Sequence, residues 1–261
     1  MKRPFPYYDD VGTGSPTLIF LHGLGGSRDY WHPTVDYFSR RHRCVAWTMP
    51  GYGFSPPLAE MSFPELADAL ARLLDQCRID SAVLVGHSMG GMVAQEMWAR
   101  HPKRISGLVL VGTTDSFGGG NQEFTDNFLA SRLAPIEAGR SPADIADEVI
   151  NGLVYAPLSE DMLRPAKVSM GAISPRGYSA AVRCLTTFDR RDTLGTISVP
   201  TLMLSGADDQ TAPPRTMARM ADGVRGATHV SLDDCGHLLD LEQPAAFRSA
   251  IETFIDQHWR N

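Results

Sequence analysis

A chain of 261 residues with 43% hydrophobic composition can bury one sizeable core and leaves room for an inserted subdomain. Lys and Arg number 24 against 30 Asp and Glu, and the net charge of −6 argues against nucleic-acid binding, which relies on clustered basic residues. No stretch is apolar enough to span a membrane, no apolar run follows Lys2 and Arg3 as a signal peptide requires, and Cys44, Cys77, Cys184 and Cys235 are scattered without a CxxC, so a reduced cytoplasmic protein is expected.

The first predicted strand is the apolar run Thr17-Leu18-Ile19-Phe20-Leu21, which empties into His22-Gly23-Leu24-Gly25-Gly26-Ser27. A glycine-rich loop after a strand can present backbone N–H groups to an anion. The Gly-Lys-Ser/Thr ending of a phosphate loop is absent. Cys44 to Trp47 predicts a second strand, followed by the tight loop Met49-Pro50-Gly51-Tyr52-Gly53-Phe54-Ser55. Ser62 is placed to cap the next helix, with Pro64 early in it and Glu65 three residues on. Leu66, Ala69, Leu70, Leu73 and Leu74 mark its apolar face.

Ala82 to Val85 reads as a buried strand that ends at Gly86-His87-Ser88-Met89-Gly90, and a helix-like segment starts at once, running to Arg100. A strand, sharp turn and helix with serine at the apex cramps the backbone, so the residues two before and two after must be small. Gly86 and Gly90 meet that need and leave Ser88 as an exposed tip, a candidate nucleophile. Ile105 to Val111 is another buried strand.

From Gly112 to about Thr187 the pattern changes to helical windows around Glu123–Leu133, Ala143–Tyr155 and Tyr178–Thr187, broken by Pro135, Pro157 and Pro175, with a loose Gly118-Gly119-Gly120 before them. Its length exceeds an ordinary connection, so residues 113–187 are expected to form a helical cap inserted into a core made of 1–112 and 188–261. Phe117, Phe124, Phe128, Leu153, Tyr155, Met162 and Met170 are candidates either to line a pocket or simply to pack. The sheet resumes at Val199 to Leu204 and again at Thr228 to Leu232, and a last amphipathic helix runs from about Pro244 to Trp259. Strands alternating with helices predict an α/β fold with a mostly parallel central sheet flanked by helices. Ligands of such sheets bind at the carboxyl ends of the strands, where every loop singled out here falls.

A serine hydroxyl needs a base within hydrogen-bond reach, and the base needs an orienting acceptor. Of eight histidines, His32, His42, His101 and His258 lie in helical or surface contexts, His229 lies in or beside a strand, and His22 and His87 sit in glycine loops that they are expected to brace. His237 follows the last strand on a Gly-His loop and is the expected base. Asp209, after the strand ending at Leu204, is the first choice for the acid, with Asp208 and Asp115 as rivals. The order Ser88, Asp209, His237 is that of the α/β-hydrolases and not of the two protease orders. The N–H groups of Met89, at the start of a helix, and of Leu24 are the expected oxyanion donors.

The chain resembles the α/β-hydrolase superfamily. The resemblance rests on His22-Gly23-Leu24-Gly25-Gly26, Pro50-Gly51-Tyr52-Gly53-Phe54-Ser55, Gly86-His87-Ser88-Met89-Gly90-Gly91, Gly206-x-x-Asp209 with Pro213, and Gly236-His237 with Glu242-Gln243-Pro244. The Gly206 spacing selects Asp209 over Asp208. Val199-Pro200-Thr201, Thr211-Ala212-Pro213-Pro214 and Glu242-Gln243-Pro244-Ala245-Ala246-Phe247 are similar to the 3-oxoadipate enol-lactonase and small carboxylesterase group. Two features depart from the pattern. Trp47-Thr48-Met49 replaces the usual Asp before the Pro-Gly-x-Gly loop, and the short stretch before Thr17 leaves room for only a stunted first antiparallel strand.

The resemblance implies a serine hydrolase acting on a small-molecule carboxylic ester or lactone, with no metal, organic cofactor, nucleic acid or membrane as partner. Dehalogenases and epoxide hydrolases of this fold carry an aspartate where Ser88 stands, and carbon–carbon bond hydrolases tend to carry a tryptophan where this chain has Leu238. Two alternatives keep the same fold: a cofactor-free perhydrolase or haloperoxidase using the same three residues, and a ligand receptor with vestigial activity.

Overall fold

The computed structural model describes residues 6–259. Seven strands form one sheet: β1 (Tyr7–Val11), β2 (Leu18–Leu21), β3 (Cys44–Thr48), β4 (Ala82–His87), β5 (Ile105–Val111), β6 (Thr201–Gly206) and β7 (Thr228–Leu232). Their spatial order is β1-β3-β2-β4-β5-β6-β7. Only β1 is antiparallel, paired along all five of its residues with β3, so a complete first strand forms where a stunted one was expected. Its pairing is anchored by exposed Arg43–Asp10 and by Tyr7 N–H donating to Ser55 Oγ at 2.7 Å.

Strands β2, β3 and β4 are buried at every position, and so is β6. A parallel sheet covered on both faces produces such unbroken apolar runs instead of alternation. The covering helices of the core are α1 (His32–Phe38), α2 (Phe63–Gln76), α3 (Met89–Arg100), α8 (Pro214–Asp222), a single turn α9 (Leu239–Glu242) and α10 (Pro244–His258). Ser62 caps α2 through a bond from Glu65 N–H. The face Leu66, Ala69, Leu70, Leu73 and Leu74 is buried as the spacing predicts. Removing one of these leucines to alanine costs about 2–5 kcal/mol by lost burial and the cavity left behind.

Four helices stand between β5 and β6: α4 (Gln122–Glu137), α5 (Pro142–Asn151), α6 (Glu160–Gly171) and α7 (Pro175–Leu185). This region departs most from the sequence reading. Helix α6 occupies the stretch between Pro157 and Pro175, where no helical window was expected. Pro135 and Pro165 lie inside α4 and α6 and each removes only one internal hydrogen bond. Pro175 does not break a helix but opens α7 at its first turn, where a missing N–H is harmless. Serine caps explain why these short helices form: Ser141 makes a reciprocal capping box with Asp144, and Ser159 and Ser174 cap α6 and α7. The layer is fastened to the core by Ser169 of α6, which shares a 2.8 Å hydrogen bond with Ser27.

Candidate active site

All six parallel strands end at one edge, and the loops that leave them build the site. At the tip of β4, Ser88 has φ +52° and ψ −119°, a conformation costing a non-glycine residue on the order of 1–3 kcal/mol. The surroundings enforce it. Ser88 N–H donates to Val111 O at 2.8 Å, and Thr113 Oγ1 donates to Ser88 O at 2.8 Å, so the end of β5 grips the turn from both sides. The two glycines flanking the serine are there for close approach. A Cβ on Gly86 would lie 2.5 Å from Gly90 O, and one on Gly90 would lie 2.1 Å from Leu21 O.

His237 and Asp209 meet behind this turn. His237 Nδ1 lies 2.7 Å from Asp209 Oδ2, and the two residues are 3% and 2% exposed. The other oxygen, Asp209 Oδ1, accepts from Thr211 N–H at 2.7 Å and Ala212 N–H at 2.9 Å. Burial alone would raise the Asp209 pKa, but the His237 charge and these three hydrogen bonds outweigh it, and the carboxyl is held below its ordinary value. An ionised Asp209 makes Nδ1 of His237 the donor, which leaves Nε2 as the free, basic nitrogen. Ser88 and His237 line the same two cavities.

The rival acids are accounted for. Asp115 forms a bidentate pair with Arg219, at 2.7 and 2.9 Å. Asp208 is half-buried, and its N–H donates to Cys235 O at 2.9 Å. The other buried histidines brace backbone. His22 bonds Gly23 O through Nδ1 at 2.8 Å and accepts Met49 N–H on Nε2 at 2.9 Å, pinning the β2 loop to the end of β3. His87 Nε2 donates to His237 O at 2.8 Å. Burial lowers the pKa of His22 to about 4, and burial with the neighbouring His237 lowers that of His87 to about 3, so both rings stay neutral near pH 7. Among the described residues, His237 is the one buried histidine with a carboxylate partner.

Leu24, on the loop after β2, and Met89, directly after Ser88, are the residues whose N–H groups the sequence reading expects as oxyanion donors. Among the described residues, neither N–H has a protein acceptor. The Leu24 loop is tied down by Tyr52, whose hydroxyl donates to Leu24 O.

Sequence reasoning did not single out Glu242 as a side chain with a task. Its carboxylate accepts Gly236 N–H and Leu238 N–H, each at 2.9 Å, on either side of His237. It also accepts Tyr155 N–H at 2.7 Å. His237 N–H in turn donates to Leu153 O at 2.7 Å. The histidine loop is therefore stitched to the segment after α5. The signal was present as the Glu242-Gln243-Pro244 phrase, but its meaning depends on a fold contact 87 residues away.

Two cavities meet at Ser88 and His237. One, of about 100 Å³, is apolar, with walls that include Val149, Ile150, Leu153, Ala166, Met170 and Leu238. The other, of about 740 Å³, is wider and more polar and runs between Thr113–Asn121 and Gln210–Arg219. Phe117, Phe124, Phe128, Leu153 and Met170, singled out in the sequence, line one or both. Met162 and Tyr155 do not; both are exposed.

Residues 16–244 match the family model described as the alpha/beta hydrolase fold. The chain is 25% identical to a pimeloyl-acyl-carrier-protein methyl ester esterase of Yersinia enterocolitica, over 96% of this chain and 97% of that protein. It is 26% identical to the Mycobacterium tuberculosis protein BpoC, described as a candidate non-heme bromoperoxidase, over 95% and 96%. Among solved structures it superposes on a thermophilic esterase from Thermogutta terrifontis with a TM-score of 0.85 and 26% identity, covering 97% of this chain and 93% of the esterase. The enol-lactonase of Burkholderia xenovorans, at 23% identity and a TM-score of 0.83, shares the fold. Among the described residues no helix is long and apolar enough to cross a membrane. The seven-stranded sheet, the serine turn and the family match across most of the chain together show that this protein belongs to the α/β-hydrolase family.

Proposed function

We propose that the protein hydrolyses small carboxylic esters or lactones through an acyl-enzyme on Ser88. The observation that carries this reading is the His237–Asp209 hydrogen bond of 2.7 Å, its acid locked by two further N–H groups, on the same cavity as a strained, tip-placed serine. In this reading Ser88 Oγ attacks the carbonyl carbon while its proton passes to His237 Nε2. Asp209 stabilises the imidazolium that results. The negative oxygen is met by the N–H groups of Leu24 and Met89, each worth on the order of 3 kcal/mol in comparable sites. His237 returns the proton to the leaving alkoxide. Water, losing its proton to His237, then attacks the acyl carbon and frees the acid and Ser88. Each step is acid–base and nucleophilic, so no metal or organic cofactor is called for.

Residues 113–187 act in this reading as a cap whose walls set the acyl and alcohol sizes. An apolar cavity of about 100 Å³ favours a short chain. The test is turnover of short p-nitrophenyl esters, with mass spectrometry of the intact protein for an acyl group on Ser88. Ser88→Ala is expected to abolish both, and undiminished turnover by that variant would overturn the assignment.

The kinship with BpoC favours one second reading. Hydrogen peroxide in place of water at the deacylation step would yield a peracid, which oxidises halide. Peroxide-dependent halogenation in acetate buffer, lost in Ser88→Ala, is its signature.

A further inference from the structure

The wider cavity has a charge opposite to that of the molecule. The chain carries a net −6, yet Arg132, Arg191, Arg215 and Arg219 line this cavity against one acid, Asp115. Two of the four are neutralised: Arg219 by Asp115, and Arg191 by Asp189. Arg215 is exposed. Arg132, on α4, is different. It is half-buried and, like Ser88 and His237, lines the apolar cavity as well as the wider one. Among the described residues no carboxylate pairs with it, and its guanidinium carbon lies 5.7 Å from the centre of the Phe128 ring. Glu148, in the small surface hollow that Arg132 also borders, faces Arg140 at 3.5 Å instead.

A second donor without a partner lies in the same walls. Tyr178 of α7 is 1% exposed, and its hydroxyl is buried with no hydrogen-bond partner. A hydroxyl buried without a partner gives up its hydrogen bonds to water and gains none in return. Arg132 acts on it directly, opposing with its charge the rise in pKa that burial causes. A guanidinium has five N–H donors and no acceptor, and a hydroxyl can donate one more. The ligand that satisfies both is an acceptor-only group. A carboxylate, with two coplanar oxygens and one charge, fits the edge of a single guanidinium.

We propose that the substrate is an anionic ester or lactone, bearing a carboxylate that Arg132 and the Tyr178 hydroxyl hold while Ser88 attacks the ester carbonyl. This deepens the hydrolase reading and rests on it. The arginines of the wider mouth draw the anion in, and Arg132 is, among the described residues, the half-buried one of the four with no counter-ion to lose when it binds. The apolar cavity accepts the short uncharged arm.

The experiment compares matched esters. Monomethyl esters of C4 to C8 dicarboxylic acids, and acetoxy acids with the carboxylate on the alcohol side, are assayed against neutral methyl and acetyl esters of the same length. The wild type is expected to prefer an anionic ester at least tenfold in kcat/KM. Arg132→Gln is expected to lower the anionic-to-neutral ratio at least tenfold, chiefly through KM. Arg132→Lys should restore part of it, and Tyr178→Phe should lower it about threefold. Binding of the matching free dicarboxylates to the Ser88→Ala protein, by calorimetry, should weaken in step when Arg132→Gln is added. A wild type that turns over neutral esters with no anionic preference overturns this proposal alone. So does a ratio unchanged in Arg132→Gln, whatever the absolute rates. If neither class is hydrolysed and no acyl group appears on Ser88, the hydrolase reading fails; dicarboxylate binding that depends on Arg132 would then still mark an anion site, and its absence would overturn this proposal too.

Discussion

The sheet edge and the helical layer above it make opposite use of the chain. At the edge, each site residue has one backbone solution. Ser88 sits at φ +52° between two glycines that cannot carry a Cβ, and Asp209 is gripped by two amides and a histidine. In the layer between β5 and β6, helices form where serine caps allow, run through two prolines, and expose Phe124, Met162, Tyr155 and Val168. In the proposed reaction the edge therefore fixes the positions of the reacting atoms, and the layer sets the shape and charge of the space above them. In such an arrangement reaction type and substrate choice can vary separately, because few residues serve both.

The largest expected effect tests the edge. Asp209→Asn keeps the size of the side chain but removes the charge and favours the wrong His237 tautomer. In a comparable triad this lowers kcat about 10⁴-fold. Steady-state kinetics on a p-nitrophenyl ester, with circular dichroism to establish the fold, measures it. A loss under tenfold would mean that His237 is not the base, or that Asp115 can replace Asp209 despite its pairing with Arg219.

Next in size is the backbone itself. Gly90→Ala places a Cβ about 2.1 Å from Leu21 O, and neither strand end nor helix start can retreat from backbone oxygen. We expect a fall of about 10 °C in Tm, equivalent to roughly 3 kcal/mol for a domain of this size. Gly119→Ala, in the layer, meets nothing within 4 Å, so it should cost only the strain of an alanine at φ +57°, about 1–2 kcal/mol. Equal losses at the two positions would erase the contrast between the regions.

Glu242 joins the regions and so sharpens the comparison. Glu242→Gln keeps an acceptor oxygen but loses the charge that holds Gly236, Leu238 and Tyr155 N–H groups together. Because it acts through the His237 loop, kcat should fall about tenfold with KM little changed, as for a charge-assisted hydrogen-bond cluster weakened by 1–2 kcal/mol. A change in KM alone would place its role in the layer rather than at the histidine.

The difference between the regions also decides what could be read from sequence. Gly86-x-Ser88-x-Gly90 and Gly206-x-x-Asp209 are legible because close backbone approach leaves few residue choices, and the strand ends put those loops on one edge. Helix α6 was not legible. Pro157, Pro165 and Pro175 look like breaks in a row, whereas one lies outside the helix, one costs a single hydrogen bond, and one starts the next helix. Arg132 was equally silent, since a cation in a helical window reads as a solvated side chain. Only the fold shows that it borders both cavities without a carboxylate partner. Glu242 lay in a recognised phrase, but its bond to Tyr155 depends on tertiary contact alone.

The smallest expected effect lies behind the site. Asp240 is buried and accepts a hydrogen bond from the Tyr30 hydroxyl. Burial is the main cause that raises its pKa from the ordinary 3.8 to about 7. The folded state therefore keeps a proton that the unfolded state releases between about pH 4 and 7. Native stability from this group is complete below pH 4, declines as pH rises through that window, and is gone above about pH 7. Asp240→Asn has no proton to lose. Its Tm should match the wild type at pH 4 and exceed it by about 5 °C at pH 8.5. Parallel melting curves at both pH values would mean that Asp240 is solvated or paired in solution. Tyr30 stacks on His87 at 5.8 Å between ring centres and lines the apolar cavity, so the same substitution reports whether that wall needs a charge behind it. If kcat/KM for neutral esters becomes flatter with pH in step with the melting curves, the charge state of Asp240 reaches the site through Tyr30.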